Sequence, residues 1–237
     1  MTPTILPIYC FNQLQSNIGW SKKVGIILAK YIDISRRLEK GTAVWPEDTP
    51  FELENVLSLD LGDTVNLTTI HFSAHTGTHI DAPFHFAEKG STIEQMELGR
   101  FWGRAQVVTT IKEDGPLHPE DFDRYDLTLT SRLLVRSKAS QHPQSLFPEA
   151  YVYPGLRLAD YLGEKGIILL GSDGPSMDHQ NSKTLEGHQA LLRNSIAILE
   201  WLDLSAVSDG IYELAALPLR IVQGDGSPVR AVLRTID

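Results

Sequence analysis

Four of the eight histidines fall between residues 71 and 85: His71, His75, His79 and His85. The densest stretch reads His75-Thr76-Gly77-Thr78-His79-Ile80-Asp81-Ala82-Pro83-Phe84-His85. Imidazole and carboxylate are the usual ligands of zinc and similar borderline divalent metals. Two histidines and an aspartate within seven residues, with a further histidine behind them, have the composition of a metal site. A histidine pair at i and i+4 says little alone, because a single histidine is more often a surface or satisfied core residue. Asp81 and His85 strengthen the pattern. Gly77 admits a backbone that other residues resist, and Pro83 forbids a continuing helix. The segment therefore reads as a shaped loop after a strand, which excludes the helical HExxH arrangement of zincins.

One loop cannot complete a metal's coordination. The downstream candidates are His188 and Glu200, which alone read as a helix-start histidine and a solvated glutamate. His71 reads as a packed strand residue, and His118 and His142, each before a proline, read as loop residues. Gly171-Ser172-Asp173-Gly174 is not GxSxG, so a serine nucleophile on the α/β-hydrolase plan is rejected. Ser172 and Asp173 are expected to shape a pocket wall instead.

The elements that must position these groups are mostly strands. Residues 32–34, 65–72, 104–110, 132–136, 212–217 and 229–233 are short and β-branched or alternating. Residues 166–171 form a continuous apolar run between glycines, as in a strand buried on both faces. Helical text is limited to 156–163 and 183–193. Strands outnumber helices without alternating with them, so a mixed α/β fold is expected: a mixed sheet or barrel with a few covering helices. Residues 1–26 read as an N-terminal extension and 27–237 as one domain.

Composition narrows the function. The 237 residues are 42% hydrophobic and 22% charged, as in an ordinary globular chain. The net charge of −9 argues against nucleic acid as a partner, since such binding needs a basic surface. Cys10 is the single cysteine, so no intramolecular disulfide can form. No signal peptide and no membrane-spanning run is read, so the expected setting is the cytoplasm.

The stretch from His75 to His85 resembles the HxGTHxDxPxH signature of the metal-dependent cyclase-like hydrolases. Trp45-Pro46-Glu47-Asp48-Thr49-Pro50-Phe51 is similar to a substrate loop of their kynurenine formamidase (arylformamidase) branch, 30 residues before His75. Ser182-Lys183-Thr184, His188 and Glu200, with a 12-residue interval between the last two, and Ser227 to Arg234 resemble its later segments. The likeness covers residues 29–237. It departs at Glu47, where that branch commonly has glycine, and at Met177 to Gln180.

The resemblance implies a swivelling β/β/α-type single domain and a homodimer. It implies two divalent metals, zinc by family likeness, with manganese compatible with the same donors. His75, His79 and Asp81 would hold one metal, and Asp81, His188 and Glu200 the other. His85 would carry protons and Trp45 would cover an aryl ring. The implied reaction is hydrolysis of N-formyl-L-kynurenine, an aryl formamide, to L-kynurenine and formate in tryptophan catabolism. Isatin-hydrolase-like opening of a cyclic aryl amide is the alternative within the superfamily, and a non-catalytic structural metal the more remote one. This ligand set carries a geometric requirement. A single helix from 188 to 200 would separate those residues by about 18 Å. The helix must therefore end near Arg193–Asn194, and 196–199 must return as a strand carrying Glu200.

Overall fold

The structure is a computed structural model, and it describes residues 29–236. The expected extension at 1–26 lies outside the described residues. Thirteen strands follow in chain order: β1 (Tyr31–Asp33), β2 (Glu52–Leu57), β3 (Leu67–His71), β4 (His79–Asp81), β5 (Trp102–Thr109), β6 (Gly115–Leu117), β7 (Arg132–Arg136), β8 (Val152–Pro154), β9 (Leu169–Ser172), β10 (Ala197–Glu200), β11 (Gly210–Ala215), β12 (Gly226–Pro228) and β13 (Val232–Thr235). Two α-helices intervene, α1 (Leu156–Glu164) and α2 (Glu186–Arg193). The expected mixed α/β fold is what forms. Nine strands make one sheet in the order β1-β13-β11-β5-β7-β9-β10-β4-β12. Its centre, β5-β7-β9-β10, is parallel, and the strands on both sides are antiparallel. No helix among the described residues is long and apolar enough to cross a membrane.

The central strands are apolar at successive positions because both faces of the sheet are covered. Val107, Leu134, Leu169 and Leu199 join one core, with Ile80, Phe101 and Leu214. Their neighbours Val108, Leu133, Leu170 and Ile198 join the other, under Leu158 and Leu162 of α1 and Ala190 and Leu191 of α2. Side chains alternate across a strand, so each strand feeds both layers. The β2–β3 pair stands apart as a two-stranded antiparallel sheet, exposed along its length. Its base is tied down by buried Phe51 against Phe72, with ring centroids 5.5 Å apart.

Candidate metal centre

The centre follows from one parity. Ile80 of β4 and Leu199 of β10 are register partners and point into the same core. Alternation therefore turns His79, Asp81 and Glu200 to the opposite face, where α2 packs. His79 and Glu200 are themselves partners across the pair. Helix α2 ends at Arg193 and β10 begins at Ala197, so the chain reverses where the ligand set requires it to. His188, in the first turn of α2, then faces Glu200 across the fold rather than from the far end of one helix. His75 arrives from the loop before β4. There Gly77 adopts φ 66°, a left-handed conformation that only glycine enters freely. Pro83 opens a short 3-10 turn ending at His85.

The side chains converge around Asp81. Its Oδ1 lies 2.8 Å from His75 Nδ1 and 3.2 Å from His79 Nε2. Its Oδ2 lies 3.3 Å from His188 Nε2. Glu200 spans the same gap, with Oε2 3.5 Å from His79 Nε2 and Oε1 3.6 Å from His188 Nε2. The donor atoms of His75, His79 and Asp81, and those of Asp81, His188 and Glu200, each fall within 4.8 Å of one another. The structure thus brings together all five residues named from the sequence.

Each histidine is also anchored by its far nitrogen. His79 Nδ1 is 2.8 Å from the Gly77 carbonyl, His188 Nδ1 is 2.6 Å from Asp178 Oδ2, and His75 Nε2 is 3.2 Å from Asp225 Oδ2. Such outer partners fix the tautomer and aim the inner nitrogen, as in metal-ligating histidines generally. Asp178 also accepts from the backbone N–H groups of Gly187 and His188, so one carboxylate caps α2 and orients its histidine. Sequence reasoning missed Asp178 and Asp225, because neither lies inside a ligand motif.

Electrostatics shows how the cluster shares its charge. Burial drives the Asp81 carboxyl up, but the imidazoles of His188, His75 and His79 outweigh it and hold it well below its ordinary value. Glu200 moves the opposite way: burial, then the charge of Asp81, push it well above the carboxylate range. Burial opposes charge on His75 and His188, yet Asp81 draws His75 up to about 9, and Asp178 with Asp81 draws His188 up to about 10. Two carboxylates, each 3% exposed, need positive charge beside them, which the raised imidazoles supply here and a cation would supply in place of their protons. Glu200 Oε1 is buried without a hydrogen-bond partner. Three imidazoles, two carboxylates and one orphaned oxygen fit a divalent cation.

His85 stands beside this cluster, and Trp45 is linked toward it through other aromatic rings. His85 is partly exposed, its ring stacked on His75 with centroids 4.0 Å apart. Burial lowers its basicity, and the competing effects of Asp81, His75, His188 and Asp225 leave it below the ordinary imidazole value. Trp45 meets Phe147 edge-on at 5.3 Å, and Phe147 meets Trp201, the residue after Glu200, at 5.9 Å. Tyr151 completes this aromatic wall. Its hydroxyl donates to the Asp178 carbonyl, and burial and nearby Glu200 hold it protonated far above neutrality. Asp173, expected in a pocket wall, is fully buried and accepts from the backbone and hydroxyls of Ser137 and Ser140. His71 is exposed on β3, which corrects the expectation that it packs.

Comparison with known proteins places this arrangement. Residues 32–179 match the family described as putative cyclase. A kynurenine formamidase of Bacillus anthracis is 40% identical over 210 residues, covering 88% of this chain and 99% of the relative. One from Geobacillus thermodenitrificans is 43% identical over 204 residues, covering 86% and 97%. A solved potential metal-dependent hydrolase with cyclase activity superposes with a TM-score of 0.76 at 24% identity, covering 89% of this chain and all of that one. Isatin hydrolase A of Labrenzia aggregata, bound to benzyl benzoate, superposes at 0.75 with 22% identity, covering 88% and 94%. At those identities the solved structures speak for the fold, and the closer sequence relatives speak for the branch. The chain belongs to the cyclase family, and within it to the group that includes the kynurenine formamidases.

Proposed function

We propose that the protein is an arylformamidase that hydrolyses N-formyl-L-kynurenine to L-kynurenine and formate. The single observation that carries this is the identity of about 40% to kynurenine formamidases over nearly their whole length, on a chain whose His/Asp/Glu cluster is complete. In this reading His75, His79 and Asp81 hold one divalent metal and Asp81, His188 and Glu200 a second. Each Asp81 oxygen faces one of the two groups. Zinc suits these donors, and manganese is the alternative. Bound metal supplies Lewis-acid polarisation of the formyl carbonyl and acidifies water at neutral pH. His85 stands beside the cluster, accessible, and is not needed as a ligand. It takes the proton from the attacking water and returns it to the arylamine nitrogen, which must leave protonated. The amide C–N bond breaks, and formate and the free amine result. Trp45 and Phe147 present ring faces and edges to the aryl group. The isatin-hydrolase alternative fits less well, because the branch-level sequence likeness is to enzymes named for a linear formamide.

The β2–β3 arm supports a homodimer. Cross-strand partners Leu53 and Ile70 are both exposed, and so are Leu57 and Leu67. Leu61, between the strands, is 87% exposed. A two-stranded hairpin is marginal alone, and apolar side chains gathered on it suit a second copy of the chain.

The test is hydrolysis of N-formyl-L-kynurenine, followed as kynurenine absorbance, before and after chelation and zinc restoration. Turnover abolished by chelator and restored by metal is expected. Metal without turnover would move the assignment to cyclic aryl amides.

A further inference from the structure

Asp225 has no part in the ligand set or in the proton transfers described above, yet it touches both. Its Oδ2 lies 3.2 Å from Nε2 of the ligand histidine His75 and 3.6 Å from Nδ1 of His85. The three side chains also form a convergent group of their own. The backbone under Asp225 is built to this position. The Asp225 carbonyl accepts from Ala82 N at 2.9 Å, and Gly226 pairs with Asp81 across β12 and β4. A side chain at 226 would collide with the His75 ring, since its Cβ would sit 2.8 Å from Cε1.

We propose that Asp225 is a positioning residue that serves the metal centre and the proton carrier with one carboxylate. A carboxylate only accepts, so an imidazole nitrogen hydrogen-bonded to Asp225 carries a proton. For His75 that proton sits on Nε2, so that with a metal bound Nδ1 would offer its lone pair to the metal in place of the proton it shares with Asp81 at 2.8 Å. For His85 it sits on Nδ1, which leaves Nε2 as the base toward the substrate. The His85 contact, at 3.6 Å, is longer than a hydrogen bond, and the partly exposed His85 ring would have to approach Asp225 for it to form. This inference rests on His85 being the proton carrier.

The test uses the full-length protein as Asp225→Asn, His85→Ala and the double variant, each loaded with zinc. Asp225→Asn is expected to lower kcat by about 10–100-fold and to weaken zinc binding, measured by chelator competition, by a comparable factor. KM should move less than about threefold. Asp225→Asn should cost less kcat in the His85→Ala background than in the parent, because its effect on proton transfer passes through His85. The ¹⁵N shifts of His85 should report an Nε2 lone pair in the parent and a tautomer mixture in Asp225→Asn. A full further loss of kcat on adding Asp225→Asn to His85→Ala overturns the proposal. So does loss of one whole equivalent of zinc, which would make Asp225 a ligand. Inert Asp225→Asn beside a crippled His85→Ala defeats this inference alone. His85→Ala with the parent's kcat defeats the proton-carrier reading and this inference with it.

Discussion

Strands β4 with β10 and β2 with β3 are both short antiparallel pairs, and they use their side chains in opposite ways. The first turns His79, Asp81 and Glu200 inward, where each is at most 3% exposed. The second turns Leu53, Leu57, Leu67 and Ile70 outward into solvent. Buried charge and exposed leucine each cost stability when taken alone. A fold keeps such placements where a partner offsets them. At β4–β10 the donor set suits a cation as that partner. At β2–β3 the proposed partner is another apolar surface, that of a second copy. The inverted pattern is therefore a guide to function in both regions, and the chemistry of the inversion says what kind of partner to seek.

The largest way to break the comparison is Asp81→Asn. It removes the charge that both ligand groups share while leaving shape and burial almost unchanged. Metal content should collapse, and with it both the activated water and oxyanion stabilisation, for a combined loss of at least about 10⁴-fold in kcat. Metal analysis beside the kinetic assay checks this. A variant that keeps both metal equivalents would show that Asp81 is no bridge. The matching change in the arm is Ile70→Lys, which puts a charge beside Leu53. A charge forced into an apolar contact should weaken self-association by roughly 100-fold, about 3 kcal/mol. Sedimentation over a range of concentrations reads it. A parent chain that is monomeric throughout would mean that the arm does not carry a second copy.

How far the sequence reached differs between these regions for physical reasons. Strand β7 was legible to the residue at 132–136, and α2 was bounded correctly at Arg193, because apolar period and length were both unambiguous there. The reversal between His188 and Glu200 was legible through the resemblance, which sets both residues at one metal and so requires them to meet in space. Strands β4, β6, β8 and β12 have three residues each, too few to display a period. Asp178 and Asp225 were missed because their role appears only when the outer nitrogens of His188 and His75 are located. Asp178 stands ten residues before the histidine it orients, and a search for acceptors outside the motifs would have been the only signal. Strand text at 65–72 was read correctly, but nothing in alternation says which face stays wet.

The loop leading into the arm offers a finer comparison. Trp45 belongs to the aromatic wall through Phe147, so Trp45→Ala should raise KM for aryl formamides by about tenfold, the worth of ~1.4 kcal/mol of ring contact, with metal content unchanged. Unaltered KM would reduce Trp45 to a packing residue.

Two residues later the same loop carries a strained backbone. Glu47 has φ 73°, and the Asp48 N–H bonds back to the Trp45 carbonyl at 2.9 Å. Pro46 and Glu47 are thus the central pair of a turn whose second position calls for glycine. By the resemblance, this is one of the positions at which the sequence departs from its branch. Trp201 is strained in the same sense, φ 56°, but its backbone is held in the interior by Gly174 and Thr78, and it follows a ligand. Glu47 is exposed and has no such restraint on its side chain. Glu47→Gly should therefore relieve about 1–2 kcal/mol of left-handed strain and give back part of it as unfolded-chain entropy. The net gain should be about 0.5–1 kcal/mol, read as a higher denaturant midpoint at unchanged slope. KM for the formamide should stay within about twofold, because the turn keeps its shape while its strain falls. Stability that falls instead would show that the Glu47 side chain, and not merely its backbone, is engaged in holding the loop.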